Sequence, residues 1–384
     1  MSEIALQKIC RYRNESTSID SSTYISTESM LPNKAGVIAA SSISTNGKAR
    51  QFRKGDILIS NIRPYFKKIW QATADGCCSA DILVFEPSNC NADYLYWLLS
   101  SDSFFNYVMA TSKGTKMPRG DKDAIMSYKF EEASISNQFR IAHTLNPFRK
   151  KINLNNQIND YLAAIVDARF DELASADVEI IPLPQAISIL SGGTPKTKEP
   201  SYWNDGSIPF FGPGDVKSST YTLETEKHIT ELGLYNCNSS LYPINTVFLT
   251  ARGTVGKVAI AGRPMAMNQS CFAFSGIDWI PQTYVHQVVK RAVRSLKAKS
   301  NGATFAAIST RDLKDEPIPM PSRKSIEEYD SWASPLYTLM LANEEESIRL
   351  AELRDALLPK LMLGEINISQ IELPTQLNNH LSEY

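Results

Sequence analysis

The stretch INTVFLTARGTVGKVAI, residues 244–260, decides how this chain is built, because KGDILISNIRPYFKKI, residues 54–69, repeats its pattern. Each stretch begins with a turn and continues as a short apolar run of strand-forming residues. An arginine and further basic residues follow, and a second apolar run ends the stretch. The two arginines, Arg63 and Arg252, lie 189 positions apart. A match of this kind indicates an internal duplication.

Other features repeat at nearly the same offset. The loops around Gly114 and Gly302 are 188 positions apart, and so are the helical segments that begin at Ile165 and Leu353. The N-terminal segments IALQKI and IPLPQAI also match, at the smaller offset of 177 between Leu6 and Leu183, so the second copy has extra residues early on. Because the offset is kept over separated features, we predict a tandem duplication.

Each copy divides into a globular part and a helical part. The globular part has short strands and turns rich in glycine and proline, such as SGGTP at 191–195, and a helical segment, predicted over 93–109 and 283–299. We predict an α/β protein with an internal pseudo-two-fold repeat, in which two mixed α/β domains are joined by two long antiparallel coiled-coil helices. The predicted regions are a first domain at 1–134, a first helical spacer at 135–176, a second domain at 177–322, a second spacer at 323–366 and a polar tail at 367–384.

The two predicted helices carry narrow apolar stripes. Pro147 fits the first position of the first helix, and Gly364 fits the end of the second. The apolar residues at helical spacing are Ile152, Ile158, Leu162, Ile165, Phe170 and Leu173 in the first helix, and Leu336, Met340, Leu350, Leu353, Leu357 and Leu361 in the second. A narrow stripe needs a partner, and the duplicated helix provides one.

The length of the first helix has a functional consequence. Residues 147–174 would span roughly 42 Å at the rise of an α-helix, slightly more than one turn of B-DNA, which is roughly 34 Å. Two domains held that far apart could each reach a segment on one face of a duplex. The alternative is that each helix packs only on its own domain.

Composition limits the class of protein. The chain is 43% hydrophobic and 21% charged, as in ordinary globular proteins. No apolar run approaches a membrane span, and the N-terminus has no apolar signal core, so we expect a cytoplasmic protein without membrane contact. The six cysteines and four histidines do not cluster. We therefore expect buried free thiols and no zinc site.

Charge is distributed unevenly although the formal net charge is only −1. The segments 48–68 and 290–314 each carry seven basic residues and one acidic residue, whereas 323–352 carries three basic and seven acidic residues. Separate basic patches fit a protein that contacts DNA with one surface and another protein with a second surface. A solvated surface explains the same charges equally well.

The chain resembles the specificity subunits of type I restriction-modification systems, over nearly its whole length. The resemblance rests on the two-unit plan and on four segments, which are SGGTPKTKEPSYWNDGSIPFFGPGDV (191–216), LTARGTVGKVAI (249–260), SNQFRIAHTL (136–145) and LRDALLPKLMLGEI (353–366). The first domain lacks the GGTP block. It begins with YISTESMLPNK (24–34), which is similar to another subtype of target recognition domain.

This resemblance implies that each globular domain is a target recognition domain that reads one part of a split, asymmetric sequence in double-stranded DNA. The helices would act as a spacer and as a docking surface for two methyltransferase subunits, and restriction subunits would join the assembly. It further implies that S-adenosylmethionine, ATP and Mg²⁺ are bound by the partner subunits and that this chain binds no cofactor.

Basic loop residues are the candidate DNA contacts. Arg63 and Arg252 follow the matched strands, where an arginine can bind guanine O6 and N7 or a phosphate, with an intradomain ion pair as the alternative. Glycines near Lys113 let the backbone approach a phosphate. The full set of predicted contacts is Arg50, Arg53, Arg63, Lys67, Lys68, Lys113, Lys116, Arg119, Lys122, Lys196, Lys198, Lys217, Arg252, Lys257, Lys297, Lys299, Asn301 and Arg311. We expect Tyr202 and Trp203 to anchor the core and not to stack on bases.

Motifs of catalysis are missing from the sequence. GTVGK at 253–257 lacks the spacing of a phosphate-binding loop and has Val258 where such a loop needs serine or threonine. There is no amino-methyltransferase, dinucleotide, zinc-protease or helicase signature, and Asp56 and Asp81 lack the Glu-x-Lys companion of many nucleases. We predict a non-catalytic chain. A protein-interaction scaffold and an enzyme with an unrecognised site are the alternatives at this point.

Overall fold

The computed structural model of the chain describes residues 3–38, 47–217, 219–299, 307–369 and 371. The chain forms two compact units. The first comprises Met1–Lys150 and Ala351–Tyr384, and the second comprises Lys151–Leu350.

The first unit is a mixed α/β domain. Its described strands are β1 (Glu3–Ala5), β2 (Cys10–Tyr12), β3 (Ser16–Ser18), β4 (Tyr24–Ile25), β5 (Lys48–Phe52), β6 (Ile57–Ser60), β7 (Ile69–Gln71), β8 (Gly76–Cys78), β9 (Ile82–Pro87) and β10 (Lys129–Glu131). Its helices are α1 (Ala92–Leu99), α2 (Asp102–Ala110), α3 (Lys122–Met126) and the beginning of α4 (Ile135–Ser175). The strands form one sheet of order β2-β9-β6-β7, a second of order β3-β5-β8-β4 and the pair β1-β10.

The second unit has the same kind of architecture. Its described strands are β11 (Glu179–Pro182), β12 (Ile187–Ser191), β13 (Ile208–Phe211), β14 (Tyr221–Thr222), β15 (His228–Ile229), β16 (Val247–Thr250), β17 (Val258–Ala261), β18 (Ala266–Met267), β19 (Cys271–Gly276) and β20 (Pro317–Met320). Its helices are α5 (Glu231–Tyr235), α6 (Gln282–Lys299), α7 (Thr310–Lys314) and most of α8 (Arg323–Met362). The sheets have the orders β12-β19-β16-β17-β14 and β15-β13-β18, beside the pair β11-β20.

The two units share one topology, which confirms the predicted duplication. The order β2-β9-β6-β7 of the first unit recurs as β12-β19-β16-β17, and the pair β1-β10 recurs as β11-β20. Even the register is kept, because Ile57 faces Phe85 in the first unit as Val247 faces Phe274 in the second. The predicted helical segments correspond to α1 with α2 and to α6. The chain is thus the predicted α/β protein with a repeated mixed domain.

The matched strands β6 and β16 are apolar on both faces because each lies between two cores. In β6, Ile57 and Ile59 pack in the cluster that contains α1 and α2, while Leu58 packs in a cluster on the opposite face. In β16, Leu249 faces the cluster that contains α6, and Phe248 faces the second cluster. Alternate side chains of a strand point to opposite faces, so a strand between two cores needs an uninterrupted apolar run.

The first long helix does not begin at Pro147. α4 begins at Ile135 and contains Pro147 in its interior. An interior proline removes one main-chain hydrogen bond and costs about 3 kcal/mol. The helix continues through it because Ile141 and Leu145 of the preceding turns are buried in the core of the first unit. α8 ends at Met362, and Gly364 adopts the left-handed conformation with φ 69°, as its predicted role as a stop requires.

The long helices pack antiparallel within the units. In the second unit, Asn155 Nδ2 donates to the carbonyl of Asn343 at 3.3 Å, and Asn159 Nδ2 donates to the carbonyl of Met340 at 3.0 Å. Because the later residue of α4 contacts the earlier residue of α8, the two helices run antiparallel. In the first unit, the clustered residues Ile141 and Leu145 of α4 pack with Leu358 and Leu361 of α8. The predicted antiparallel helix pair is therefore confirmed.

The apolar stripes of the long helices are not single seams. Phe170 and Met340 are buried, in agreement with the predicted stripes. Ile165 and Leu353, which the spacing also assigns to the stripes, are instead 51% and 55% exposed. Asn155, which is polar and therefore not part of the predicted stripe, is buried, and its side-chain amide donates a hydrogen bond to α8. Each helix thus has further apolar side chains that the described residues leave exposed.

Candidate nucleic-acid interface

Loops that are distant in sequence meet at one edge of the second unit. They follow β12, β13, β16 and β18 and cover 192–198, 212–216, 251–257 and 268–270. The Thr254 hydroxyl donates to the carbonyl of Pro213 at 2.8 Å, and the amide of Arg252 donates to the carbonyl of Ser270 at 3.1 Å. The amide of Gly193 donates to a strand residue, Met267, at 3.1 Å. This loop edge carries four of the predicted contacts, Lys196, Lys198, Arg252 and Lys257.

Glycines make this loop edge possible. Gly253 and Gly256 adopt φ of 80° and 77°, in the left-handed region that favours glycine. A Cβ on Gly192 would lie 2.3 Å from the carbonyl oxygen of Asn268, so only glycine fits there. The SGGTP and RGTVGK segments are therefore required by the close approach of backbone to backbone.

The cations at and beside this loop edge are of two kinds, those without a partner in the described residues and those that bind another group of the chain. Lys196, Lys198, Arg252 and Lys257 are exposed, and none has an ion-pair or hydrogen-bond partner for its charged group in the described part of the chain. Lys297 Nζ donates to the carbonyl of Gly256 at 2.9 Å and so fastens the loop between β16 and β17 to α6. The free cations are the groups available to an anionic ligand.

The remaining predicted contacts of the second unit lie elsewhere. Lys299 Nζ is 2.7 Å from the buried carboxylate of Glu316, and Arg311 is 91% exposed with its Nε 3.8 Å from Asp315. Lys217 is exposed beside Glu344 of α8, where burial raises the pKa of the Glu344 carboxyl and the positive charge of Lys217 opposes that shift. Asn301 lies outside the described residues.

Part of the basic segment 290–314 serves packing within the second unit. Lys290 Nζ is 2.6 Å from Asp167 of α4, and Arg291 and Arg294 lie 3.8 and 3.6 Å from Asp171. These three cations thus hold α6 against α4. Ion pairs within the second unit therefore account for these three charges, which the sequence left open between a DNA contact and a solvated surface.

In the first unit, the turn after β6 meets the loop before α3. The amide of Arg63 donates to the carbonyl of Pro118 at 2.9 Å, and Lys113 and Arg119 exchange two main-chain hydrogen bonds of 2.9 Å. Arg63 and Lys67 both adopt left-handed backbone conformations, with φ of 50° and 49°. For residues other than glycine this conformation costs roughly 1–2 kcal/mol each. Strain of this kind persists where surrounding contacts impose it, and it is common at functional sites.

The charges of this turn and loop are also partly held. Arg63, Lys116 and Lys122 are exposed without a partner for their charged groups in the ranges that the structure describes. The other predicted contacts of this unit have partners within the chain. Four form ion pairs: Lys113 with Asp121 (2.5 Å), Arg119 with Asp81 (3.1 Å), Lys67 with Asp102 (2.9 Å) and Arg53 with Glu15 (3.1 Å). Arg50 and Lys68 donate hydrogen bonds to main-chain carbonyls, at 2.5 and 2.7 Å. Burial lowers the pKa of Lys68.

Large apolar side chains beside Arg63 were not among the predicted contacts. Tyr65, Phe66 and Met117 are 47%, 37% and 48% exposed. The sequence does contain a sign of these exposed side chains. Two adjacent aromatic residues stand within the basic segment RPYFKK, which follows the end of strand β6. By contrast, Trp203 packs edge-on against Phe210 with ring centroids 5.4 Å apart, so it is the predicted core anchor.

The sequence also predicts the state of metal ligands, cysteines and apolar helices. Within the described ranges, no group of three or more His, Cys, Asp or Glu residues is placed to hold a metal ion. The cysteines are free, and Cys10, Cys77, Cys78 and Cys271 are buried, as expected of thiols that fill the core. None of the described helices combines the length and the apolar character that crossing a membrane demands.

Two domains of one topology, each presenting basic loops and each followed by a long helix, define a duplicated DNA-recognition protein. The chain belongs to the family described as the type I restriction modification DNA specificity domain, whose family model matches twice, at residues 8–164 and 176–328. It is therefore a specificity subunit of a type I restriction-modification system that recognises DNA, and it is not one of the enzymes of that system.

Known relatives agree with this assignment. The MjaIX specificity subunit of Methanocaldococcus jannaschii is 34% identical over 138 residues, which cover 35% of this chain and only about a third, 32%, of that relative. The HindI specificity subunit of Haemophilus influenzae is 23% identical over 433 residues, which cover 89% of this chain and 94% of that one. The crystal structure of a type I S subunit from M. genitalium has the same fold, with a TM-score of 0.57 at 14% identity over 94% of this chain and 96% of that one.

Proposed function

We propose that this chain reads a split, asymmetric DNA sequence, one half through each unit. The observation that carries the proposal is that one strand framework ends in two chemically different loops. After β6 the loop reads RPYFKK, and after β16 it reads RGTVGK, while SGGTP occurs only in the second unit. Equal frameworks with unequal loops fit two related surfaces that recognise different bases.

The recognition domains are residues 1–134 and 177–322 in this proposal, and the helical spacers are 135–176 and 323–366. Among the eighteen predicted contacts, the exposed cations without partners are the first candidates for DNA. They are Arg63, Lys116, Lys122, Lys196, Lys198, Arg252 and Lys257. Cations that are already ion-paired gain less from a phosphate, because they must first lose their carboxylate partner.

We further propose that the uncovered faces of the long helices dock methyltransferase subunits. On α4, Leu154, Tyr161 and Ile165 are 49%, 71% and 51% exposed and lie at spacings of seven and four, which place them on one face. On α8, Trp332 and Leu339 are also exposed, seven residues apart. Apolar side chains aligned on a helix are a typical surface for a partner helix.

The duplication favours two methyltransferase copies. Ile165 and Leu353 occupy equivalent positions of the repeat, 188 residues apart, and both are exposed. Equivalent exposed positions fit two copies of one partner. S-adenosylmethionine, ATP and Mg²⁺ would be bound by the partner subunits, and restriction subunits would complete the complex. The assembly would act in the cytoplasm.

Methylation mapping tests the DNA-reading proposal. The chain is expressed with its cognate methyltransferase subunit in a host without methylation, and the modified bases are located by sequencing. We expect one split motif that consists of two different half-sites around a gap of constant length. Methylation at an unsplit or palindromic motif would contradict the proposal. Binding to duplex DNA that does not weaken steeply with salt would favour the scaffold alternative.

The docking proposal has its own test. Ile165→Asp and Leu353→Asp introduce a charge on one exposed face each, and native mass spectrometry of the co-expressed complex counts the methyltransferase copies. We expect each single variant to lose one of two copies and the double variant to lose both. Ala164→Asp introduces the same charge at an exposed position of α4 about 100° around the helix from Ile165, and it is the matched control. A full complement of subunits in the double variant would refute docking at these faces.

A further inference from the structure

An exposed aromatic pair lies at the tip of the turn after β6 in the first unit. Tyr65 and Phe66 contact each other with ring centroids 4.6 Å apart. Met117 of the neighbouring loop is also about half exposed. Large apolar side chains are normally buried, so a group of them beside a predicted DNA contact needs an explanation.

This pair is held in place by main-chain hydrogen bonds from two other segments. The amide of Asn33 donates to the carbonyl of Phe66 at 2.8 Å, and the amide of Lys34 donates to the carbonyl of Lys67 at 3.0 Å. On the other side, the amide of Arg63 donates to Pro118 at 2.9 Å. The left-handed conformations of Arg63 and Lys67 turn the chain sharply on both sides of the pair. The aromatic side chains are therefore presented on a fixed backbone.

The charges around the pair favour a nucleic-acid ligand. Arg63 directly precedes it and has no partner for its guanidinium in the described part of the chain, and Lys116 beside Met117 is likewise exposed and unpaired. Lys68 Nζ lies 5.9 Å from the centre of the Phe66 ring. An apolar tip flanked by cations can enter between base pairs while the cations contact the adjoining phosphates.

We propose that Tyr65 and Phe66 form a wedge that enters between two base pairs of the half-site read by the first unit. Opening a base step and bending the duplex expose bases to the aromatic faces, and the sequence dependence of that deformation adds to specificity. The inference rests on the proposed DNA-reading function and adds the mode of contact.

The equivalent turn of the second unit carries no aromatic pair. At the offset of 189 that relates Arg63 to Arg252, Thr254 and Val255 stand where Tyr65 and Phe66 are. Val255 packs partly against the core of its unit, and the Thr254 hydroxyl bonds Pro213. The duplex is therefore opened in one half-site and left stacked in the other.

The test uses the full-length chain with its methyltransferase subunit and duplexes that carry 2-aminopurine, a base whose fluorescence rises when it unstacks. The probe is moved step by step through both half-sites. The methyltransferase copies flip their target bases out of the stack. Apart from those target bases, we expect a fluorescence increase at one step of the first half-site and none in the second. Tyr65→Ala with Phe66→Ala should abolish the signal and weaken specific binding by about 5- to 150-fold for each stacked base, the equivalent of roughly 1–3 kcal/mol.

Matched variants make the result specific. Tyr65→Phe keeps the ring and should keep the signal. Tyr235→Ala removes an aromatic ring of α5 that is 87% exposed and lies outside the loop edge, and it should leave both signal and affinity unchanged. The wedge is refuted if the wild-type complex binds its site at full occupancy and unstacks no base other than the flipped target bases, or if the double alanine variant binds equally well. Loss of methyltransferase assembly with unchanged DNA binding would refute it too, because the patch would then be a protein contact. A wild-type chain without sequence preference would overturn the proposed function itself.

Discussion

Replacing Arg252 with alanine tests whether the two units read DNA independently. The guanidinium is exposed and has no partner in the described ranges, so its removal leaves no buried group without a hydrogen bond. We therefore expect the free energy of unfolding to change by less than about 0.5 kcal/mol. A larger change in DNA affinity then reports the interface and not the fold.

The size and pattern of the affinity loss distinguish two roles for Arg252. A guanidinium that holds guanine O6 and N7 contributes about 1–3 kcal/mol of base discrimination, which corresponds to about 5- to 150-fold in affinity. A guanidinium that holds a phosphate weakens binding to all sequences alike, and its loss reduces the slope of affinity against salt by about one charge.

Competition binding measures both quantities. The chain with its methyltransferase subunit is titrated with duplexes in which one half-site at a time is randomised, at several salt concentrations. Arg252→Ala should reduce discrimination in one half-site only, and Arg63→Ala in the other. Lys324→Ala is the control, because Lys324 is an exposed cation of α8 whose one ion-pair partner in the described residues is Glu328, at 3.8 Å.

Equal loss of discrimination in both half-sites would refute the reasoning. In that case either variant would act on a shared surface, and two independent reading units would be the wrong description. Unfolding of Arg252→Ala at a lower temperature than the wild type would also contradict the structural argument, because the side chain would then have a partner.

Three further predictions concern spacing and stability. We expect a longer gap in the methylated motif when four residues are inserted into α4 within 147–174 and four more into the facing part of α8. The gap should grow by about one to two base pairs, since four helical residues rise about 6 Å. A constant gap would show that the helices do not set it. Asp56→Ala should destabilise the first unit by about 3–5 kcal/mol, because the buried Arg13 loses a partner 2.6 Å away. Amide hydrogen exchange should then become faster in β6 and β9, but not in β16 and β19. Thr246→Ala changes the equivalent buried position of the second unit and should cost only about 1 kcal/mol. Burial lowers the pKa of His286 from 6.5 to about 3, so between these pH values the unfolded chain binds a proton that the folded second unit does not. The free energy of unfolding should therefore fall as the pH drops from 6.5 toward 3, by about 1.4 kcal/mol per pH unit. In unfolding titrations at several pH values, His286→Gln should show a weaker dependence of this free energy on pH.

Local patterns carried the prediction of the framework. The buried strands β6 and β16 are visible as apolar runs, and the glycines of RGTVGK and SGGTP mark turns whose backbone favours glycine or leaves no room for a side chain. Because the chain contains the pattern twice, each copy supports the reading of the other. The duplicated topology, the loops that follow the strands and the antiparallel helices could therefore be predicted.

Local patterns failed where a distant contact decides. Pro147 satisfies the rule for a helix start, yet α4 runs through it because residues on both sides pack on other elements. Ile165 and Phe170 look alike in the apolar pattern, but only Phe170 is buried. Likewise, the basic segment 290–314 does not reveal that Lys290 is paired with Asp167 of α4.

The amino-acid sequence alone therefore determined the repeat, its α/β framework and the segments that carry basic loops, because these depend on residue order and short-range backbone preference. The tertiary structure decided which cations of those loops are free, which loops meet and that Tyr65 and Phe66 are exposed beside Arg63. The physical reason is that ion pairing and burial depend on residues more than a hundred positions apart, as between Lys290 and Asp167, and the pattern of one segment contains no record of them.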